Sequence, residues 1–109
     1  MKEIDIQKTI VEALNYSKCI VWRTNAGRVP VSFGENTRWV KLGPAGMSDI
    51  IGLDDKGRFI AIEVKKPETK NRVTEIQSNF LANVKDMGGI TGVATSVEEA
   101  MEIIRKSRD

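Results

Sequence analysis

Two carboxylates and a lysine carry the strongest chemical signal in this chain: Asp49 and then, after thirteen intervening residues, Glu63-Val64-Lys65. Side chains in an extended strand alternate faces, so Glu63 and Lys65 project to one side while Ile60, Ile62 and Val64 project to the other. If a strand starting at Asp49 pairs antiparallel with this one around Asp54-Asp55-Lys56-Gly57, the two acids approach each other. Equal counting from that turn aligns them imperfectly, and a twist or bulge would have to supply the difference. Two carboxylates brought close repel unless a cation lies between them. With no histidine and a single cysteine in the chain, the suitable cation is hard and oxygen-ligated, Mg²⁺ or Mn²⁺. Such a site suits attack of water on a phosphate diester. Lys65 would either stabilise charge developing on the phosphate or help to position or deprotonate the water. Taken singly, the same residues read as ordinary surface groups: a turn aspartate, an edge-strand glutamate and a solvated Lys65-Lys66 strand end.

The lack of histidine excludes a Ser-His-Asp triad, a histidine general base and most zinc-site patterns. Cys19, next to Ile20 and Val21, reads as a small hydrophobe near a core strand in a reducing compartment. The net charge of +2 permits a nucleic-acid partner without arguing for one. No apolar run approaches the roughly 20 residues needed to span a bilayer, and Met1 leads into charged residues, so no membrane association and a cytoplasmic location are expected. At 109 residues, one domain over 1–109 is expected.

The elements that must hold the candidate site follow from periodicity. Ile6, Ile10, Val11 and Leu14 recur at helical spacing and predict an amphipathic helix from Glu3 to about Tyr16. Cys19 to Thr24 predicts a strand closed by the turn group Asn25-Ala26-Gly27, with Trp22 in the core. Val29 to Leu42 reads as an irregular hairpin or loop: Val31 and Phe33 in a short strand, Gly34-Glu35-Asn36 as a turn, Thr37 to Leu42 returning. After the breaker cluster Gly43 to Gly46, Asp49 to Leu53 and Arg58 to Lys66 form a strand hairpin. Thr74 and Gln77 have capping-box spacing ahead of a helical stripe of Ile76, Phe80, Leu81 and Val84. Ile90 to Ala94 is a short strand, and Ser96 to Glu99 opens a helix whose tail frays after Lys106. The order predicts an α/β fold with a mixed central sheet flanked by helices.

Gly46-Met47-Ser48-Asp49 followed by Glu63-Val64-Lys65 resembles the split PD-(D/E)XK nuclease motif, and more narrowly the VRR-NUC family. In that family a helix carries a glutamate and a glutamine four residues apart, a Gly-x-x-Asp segment leads into a strand, a Glu-Val-Lys strand follows, and a glutamine opens the next helix. This chain has Glu3 and Gln7, Gly46 and Asp49, Glu63-Val64-Lys65, and Gln77, in that order. Ser48 stands where a proline often precedes the aspartate. The resemblance implies the restriction-endonuclease-like fold. It further implies that Asp49 and Glu63 are metal ligands with the carbonyl of Val64 as a third, that Lys65 is the catalytic lysine, and that Gln77 orients water or phosphate. Glu3 matches the helix carboxylate placed beside the metal, with Glu12 as a competing first-helix acid. Read from spacing alone, Gln77 could instead serve only its capping box.

Basic residues that could meet DNA phosphates are Arg23, Arg28, Arg38 and Lys41 before the site, and Lys66, Lys70 and Arg72 after it. Trp39 could be a stacking platform or a dimer contact, and Pro67 to Arg72 reads as a mobile loop. Stand-alone VRR-NUC proteins resemble Holliday junction resolvases, which implies a homodimeric endonuclease acting on branched DNA such as four-way junctions. A flap or nicking nuclease of the same fold, or a catalytically idle nucleic-acid-binding module, are the alternatives.

Overall fold

The computed structural model of the protein describes residues 1–25 and 28–109. Helix α1 spans Glu3–Asn15, β1 Cys19–Arg23, β2 Arg28–Phe33, β3 Asn36–Lys41, β4 Ile50–Asp54, β5 Phe59–Val64, α2 Glu75–Asp86, β6 Ile90–Ala94 and α3 Val97–Ser107. Four strands form the central sheet in the order β1-β4-β5-β6. The first two pairings are antiparallel and β5-β6 is parallel, reached through the α2 crossover. This is the mixed α/β sheet flanked by helices that the element order predicts.

The helices cover the sheet unequally. Helix α1 packs on β1 and α3 on β6, meeting each other on one face, and α2 covers only β5 and β6 on the other. Ile6, Ile10 and Leu14 of α1 and Ala100 and Ile104 of α3 close over Val21, Ile50, Ile60, Ile62 and Val64. Because β5 is covered on both faces, its run from Ile60 to Val64 is entirely buried, as expected for a central strand. Strand β1 is an edge with one covered face, so Cys19 and Val21 point inward and Ile20 and Trp22 point out. Trp22 is therefore not a core residue: it is 50% exposed. An apolar run of sequence cannot distinguish a strand covered on one face from a strand covered on both. Ile20, Leu53 and Phe59 lie on one cross-strand row of the open face, with Trp22 on the next. Cys19 is buried and unbridged, and burial pushes its thiol up, in keeping with a structural role.

The turn between β4 and β5 sets the register of the site. Asp54 accepts backbone N–H bonds from Lys56 (3.0 Å) and Arg58 (2.8 Å) and pairs with the Arg58 guanidinium at 2.7 Å. Burial alone would raise the Asp54 pKa, but these donors outweigh it and hold the carboxyl low. Gly57 closes the three-residue loop at φ +78°, a conformation that glycine adopts without steric cost. Asp54 is thereby tied to Arg58, Leu53 pairs with Phe59 and Ile50 with Ile62. One further step sets Asp49 opposite Glu63. The expected bulge is this turn itself: the left-handed Gly57 is the extra residue that brings the two acids into register. Asp54→Asn leaves a weaker acceptor in a buried network, and a loss of about 2–3 kcal/mol in urea denaturation is expected. Acid acts in the same direction: the low Asp54 pKa stabilises the fold above the ordinary value of 3.8 and loses that contribution as pH falls below it.

One further expectation changes. Residues Arg28 to Lys41 form a regular hairpin with Arg28 opposite Lys41 and Phe33 opposite Asn36, making a separate two-stranded sheet. Its turn is Gly34-Glu35 with Gly34 at φ 60°, a two-residue loop of the kind that matches strand twist. Within the expected loop from Pro67 to Arg72, Pro67–Thr69 form a 3₁₀ turn. Helix α3 ends at Ser107, one residue past Lys106, and beyond it Arg108 donates to the Ser17 carbonyl at 2.8 Å. Of the turn expected at Asn25-Ala26-Gly27, Ala26 and Gly27 lie outside the described residues. No helix among the described residues is long and apolar enough to cross a membrane.

Candidate active site

Asp49 sits at the start of β4, held by its backbone and its side chain. Its carbonyl accepts the Thr24 N–H at 2.9 Å, and Thr24 Oγ1 donates to the Ser48 carbonyl at 2.8 Å, extending the β1-β4 ladder past its last pair. The Asp49 carboxylate Oδ2 accepts the Val64 N–H at 2.8 Å, which joins the two halves of the motif directly. Thr24 had no signal in the sequence, because it acts through a register visible only once the strands are paired.

Glu63 is 2% exposed. Its Oε1 accepts a hydrogen bond from Gln77 Nε2 at 3.0 Å, while no donor reaches Oε2 among the described residues. Burial, the shared proton and negative charge of neighbouring Asp49, and the charge of Glu3 push the Glu63 carboxyl up to about 9, with the Lys65 ammonium opposing them. Without a cation Glu63 is therefore protonated at neutral pH. An acid so buried, next to another acid and with an oxygen lacking a donor, has the donor set of a hard-cation ligand.

Gln77 fills its capping box and at the same time reaches Glu63. Thr74 Oγ1 accepts the Gln77 N–H at 3.2 Å, and Gln77 Oε1 accepts the Thr74 N–H at 2.9 Å, a complete capping box. Fixing the oxygen of the amide in that box aims its nitrogen at Glu63. The start of α2 can reach the site because Gly46 passes against it. Gly46 has φ +77°, and a Cβ there would fall 2.4 Å from the Ile76 carbonyl oxygen. This accounts physically for the glycine three residues before Asp49.

Lys65 is half-buried, one residue past β5, and its N–H extends the parallel ladder to the Ala94 carbonyl at 3.1 Å. Glu3 lies at the start of α1 and its charge bears on Glu63, whereas Glu12 is exposed further along the helix. No group of three acidic or thiol side chains close enough to form a preformed metal cage occurs among the described residues. Gln7 is buried and accepts a hydrogen bond from Arg23 Nε at 2.9 Å, fixing that guanidinium near the end of β1. Ser48 is fully buried and its Oγ has no partner among the described residues. Ser48→Ala is expected to hold or raise stability by up to about 1 kcal/mol in thermal unfolding, since it removes an unpaired buried hydroxyl.

Asp49, Glu63, Val64, Lys65 and Gln77 thus converge at one end of the sheet, with Glu3 within electrostatic reach. The basic residues do not all join them. Arg28, Arg38 and Lys41 lie on the separate hairpin. Lys70 is paired with Glu99 at 2.6 Å, so its charge is already engaged. Lys66 follows Lys65 half-buried, and Arg72 is exposed beyond the 3₁₀ turn.

A mixed sheet with an acid at the start of one strand, a Glu-x-Lys on its neighbour and a helix glutamine bonded to the glutamate is the arrangement of a restriction-endonuclease-like nuclease fold. The family model described as the VRR-NUC domain matches residues 1–98 of the chain. The protein belongs to the VRR-NUC family of nucleases, hydrolases for which DNA is the substrate.

Proposed function

We propose that this protein is a metal-dependent endonuclease that hydrolyses DNA phosphodiester bonds, structure-specifically on branched DNA such as four-way junctions, as a homodimer. The observation that carries the reading is the buried Glu63 carboxyl, with one oxygen lacking a donor, set against Asp49 on the neighbouring strand. Mg²⁺ or Mn²⁺ would be held by Asp49, Glu63, the Val64 carbonyl and, from α1, Glu3. Its chemistry there is Lewis-acid polarisation of the phosphoryl oxygen and activation of water.

The chain's own groups do the rest. The Val64 N–H orients the Asp49 carboxylate and Gln77 orients that of Glu63, so both acids are fixed before substrate arrives. Lys65, on the same strand face as Glu63, places its ammonium where charge builds on the phosphate as water adds to phosphorus and the P–O bond breaks. Arg23, held by Gln7, is available to an adjacent phosphate.

Support for the dimer comes from the open apolar row of Ile20, Leu53 and Phe59 with Trp22 beside it, a patch of the kind that marks association surfaces. Cleavage of labelled four-way junction, flap and plain duplex in Mg²⁺, Mn²⁺ or chelator tests the reading. Metal-dependent paired incision of the junction is expected. Equal cutting of all three substrates would remove the structural specificity, and cutting in chelator would remove the metal.

A further inference from the structure

Strands β2 and β3 pair only with each other, and pack only marginally on any other element among the described residues. The molecule is correspondingly elongated, 52 Å in its long dimension against 30 and 29 Å. A lone two-stranded hairpin is marginal in water, yet this one carries Phe33, Trp39 and Val40 in the open, with Val29 and Val31 half-buried. It lies between β1 and β4 in the chain, and Thr24, just before it, is bonded to Ser48 and Asp49 just after it. The hairpin therefore springs from the edge of the candidate active site.

Its two faces differ in chemistry. Register puts Arg28, Pro30 and Ser32 on one face with Lys41, Trp39 and Thr37 of the partner strand. Arg28 and Lys41 are directly opposite, a like-charge pair that destabilises a hairpin unless an anion lies over it. The next position on that face is Pro30 opposite Trp39, about 7 Å along the strand. Trp39 is 67% exposed, and with Asn25, Arg28 and Pro30 it borders a shallow recess. Arg28, Arg38 and Lys41 have no ion-pair partner among the described residues, and the hairpin has Glu35 as its sole acid.

We infer that the β2-β3 hairpin is a DNA-binding arm that recognises an unstacked base at a branch point. Trp39 provides the stacking face, and Arg28 with Lys41 holds the neighbouring phosphate. A planar aromatic and a cation pair on one face suit a base and its phosphate together. Uninterrupted duplex keeps its bases stacked and offers only the phosphate. A second copy of this chain fits the hairpin poorly, since it would bring cations against cations; the open sheet face with Ile20, Leu53 and Phe59 suits that partner better. The inference rests on the nuclease reading and adds the element that would select branched DNA.

The test is binding of fluorescent four-way junction and blunt duplex in Ca²⁺ at several salt concentrations, with sedimentation of each variant in the absence of DNA. Trp39→Leu is expected to weaken junction binding about 10-fold with little change for duplex, and Trp39→Phe to recover much of the loss. The double variant Arg28→Ala and Lys41→Ala is expected to lower the salt slope by about 1–2 for the junction. Unchanged junction affinity in Trp39→Leu, or equal weakening on both DNAs, would overturn the arm while leaving the nuclease reading intact. Loss of a dimer in Trp39→Leu without DNA would reassign the hairpin to self-association. Wild-type protein that binds neither DNA would remove both readings.

Discussion

Lys65→Ala is expected to cut cleavage of a junction by roughly 10²–10³-fold, the range found for removal of a single preorganised group that stabilises transition-state charge. Folding and cation binding should persist, since Lys65 sits past the end of β5 and is not among the acids that would hold the metal. The discriminating readout is therefore a split. Thermal unfolding with and without Mn²⁺ should show a stabilisation like that of the wild type, while single-turnover cleavage collapses. Lys65→Arg should recover little, because a guanidinium replaces a compact point charge with a broad planar fork. Loss of the Mn²⁺ stabilisation in Lys65→Ala would show that the lysine shapes the cation site itself.

Glu63→Gln should have the opposite signature, a protein that is more stable without metal and inactive with it. The Glu63 carboxyl, pushed up to about 9 chiefly by burial, stays protonated when the unfolded chain has released its proton above the ordinary 4.5. Its contribution to stability is then fully present below 4.5 and is lost as pH rises towards about 9. For one proton the slope cannot exceed about 1.4 kcal/mol per pH unit. Metal-free wild type should accordingly lose stability from pH 5 to 9 in about that measure at most, and Glu63→Gln should flatten the dependence. Mn²⁺ should restore the wild type at pH 8 with release of a proton and do little for the variant. A metal-free melting temperature that is the same at pH 5 and pH 8 would contradict this account of Glu63.

Much of this arrangement was legible in the residues. Helical spacing of Ile6, Ile10 and Leu14, the apolar run ending at Val64, and the Ser/Thr caps at Thr74 and Ser96 identify elements that the structure contains, because local periodicity and capping act over a few residues. The VRR-NUC pattern gave the family, which the match over residues 1–98 shows. Longer-range features were not legible. The apolar run around Trp22 predicts a core position, but α2 stops short of β1 and leaves it exposed. Equal counting from the turn misaligns Asp49 and Glu63 because the left-handed Gly57 changes the count by one. The double use of Gln77, the Thr24 bonds to Ser48 and Asp49, and the Gln7-Arg23 pair depend on side chains from different elements meeting, and no window of sequence contains both partners.

We propose that Asp49 and Glu63 hold a divalent cation that DNA hydrolysis requires. Single-turnover cleavage of a labelled four-way junction with wild type and Asp49→Ala, each in Mn²⁺ and in chelator, with folding verified by circular dichroism, tests this role. Cleavage by wild type in Mn²⁺ alone, lost in Asp49→Ala, is the predicted result. A folded Asp49→Ala that cuts at the wild-type rate, or wild type that cuts equally in chelator, would contradict it.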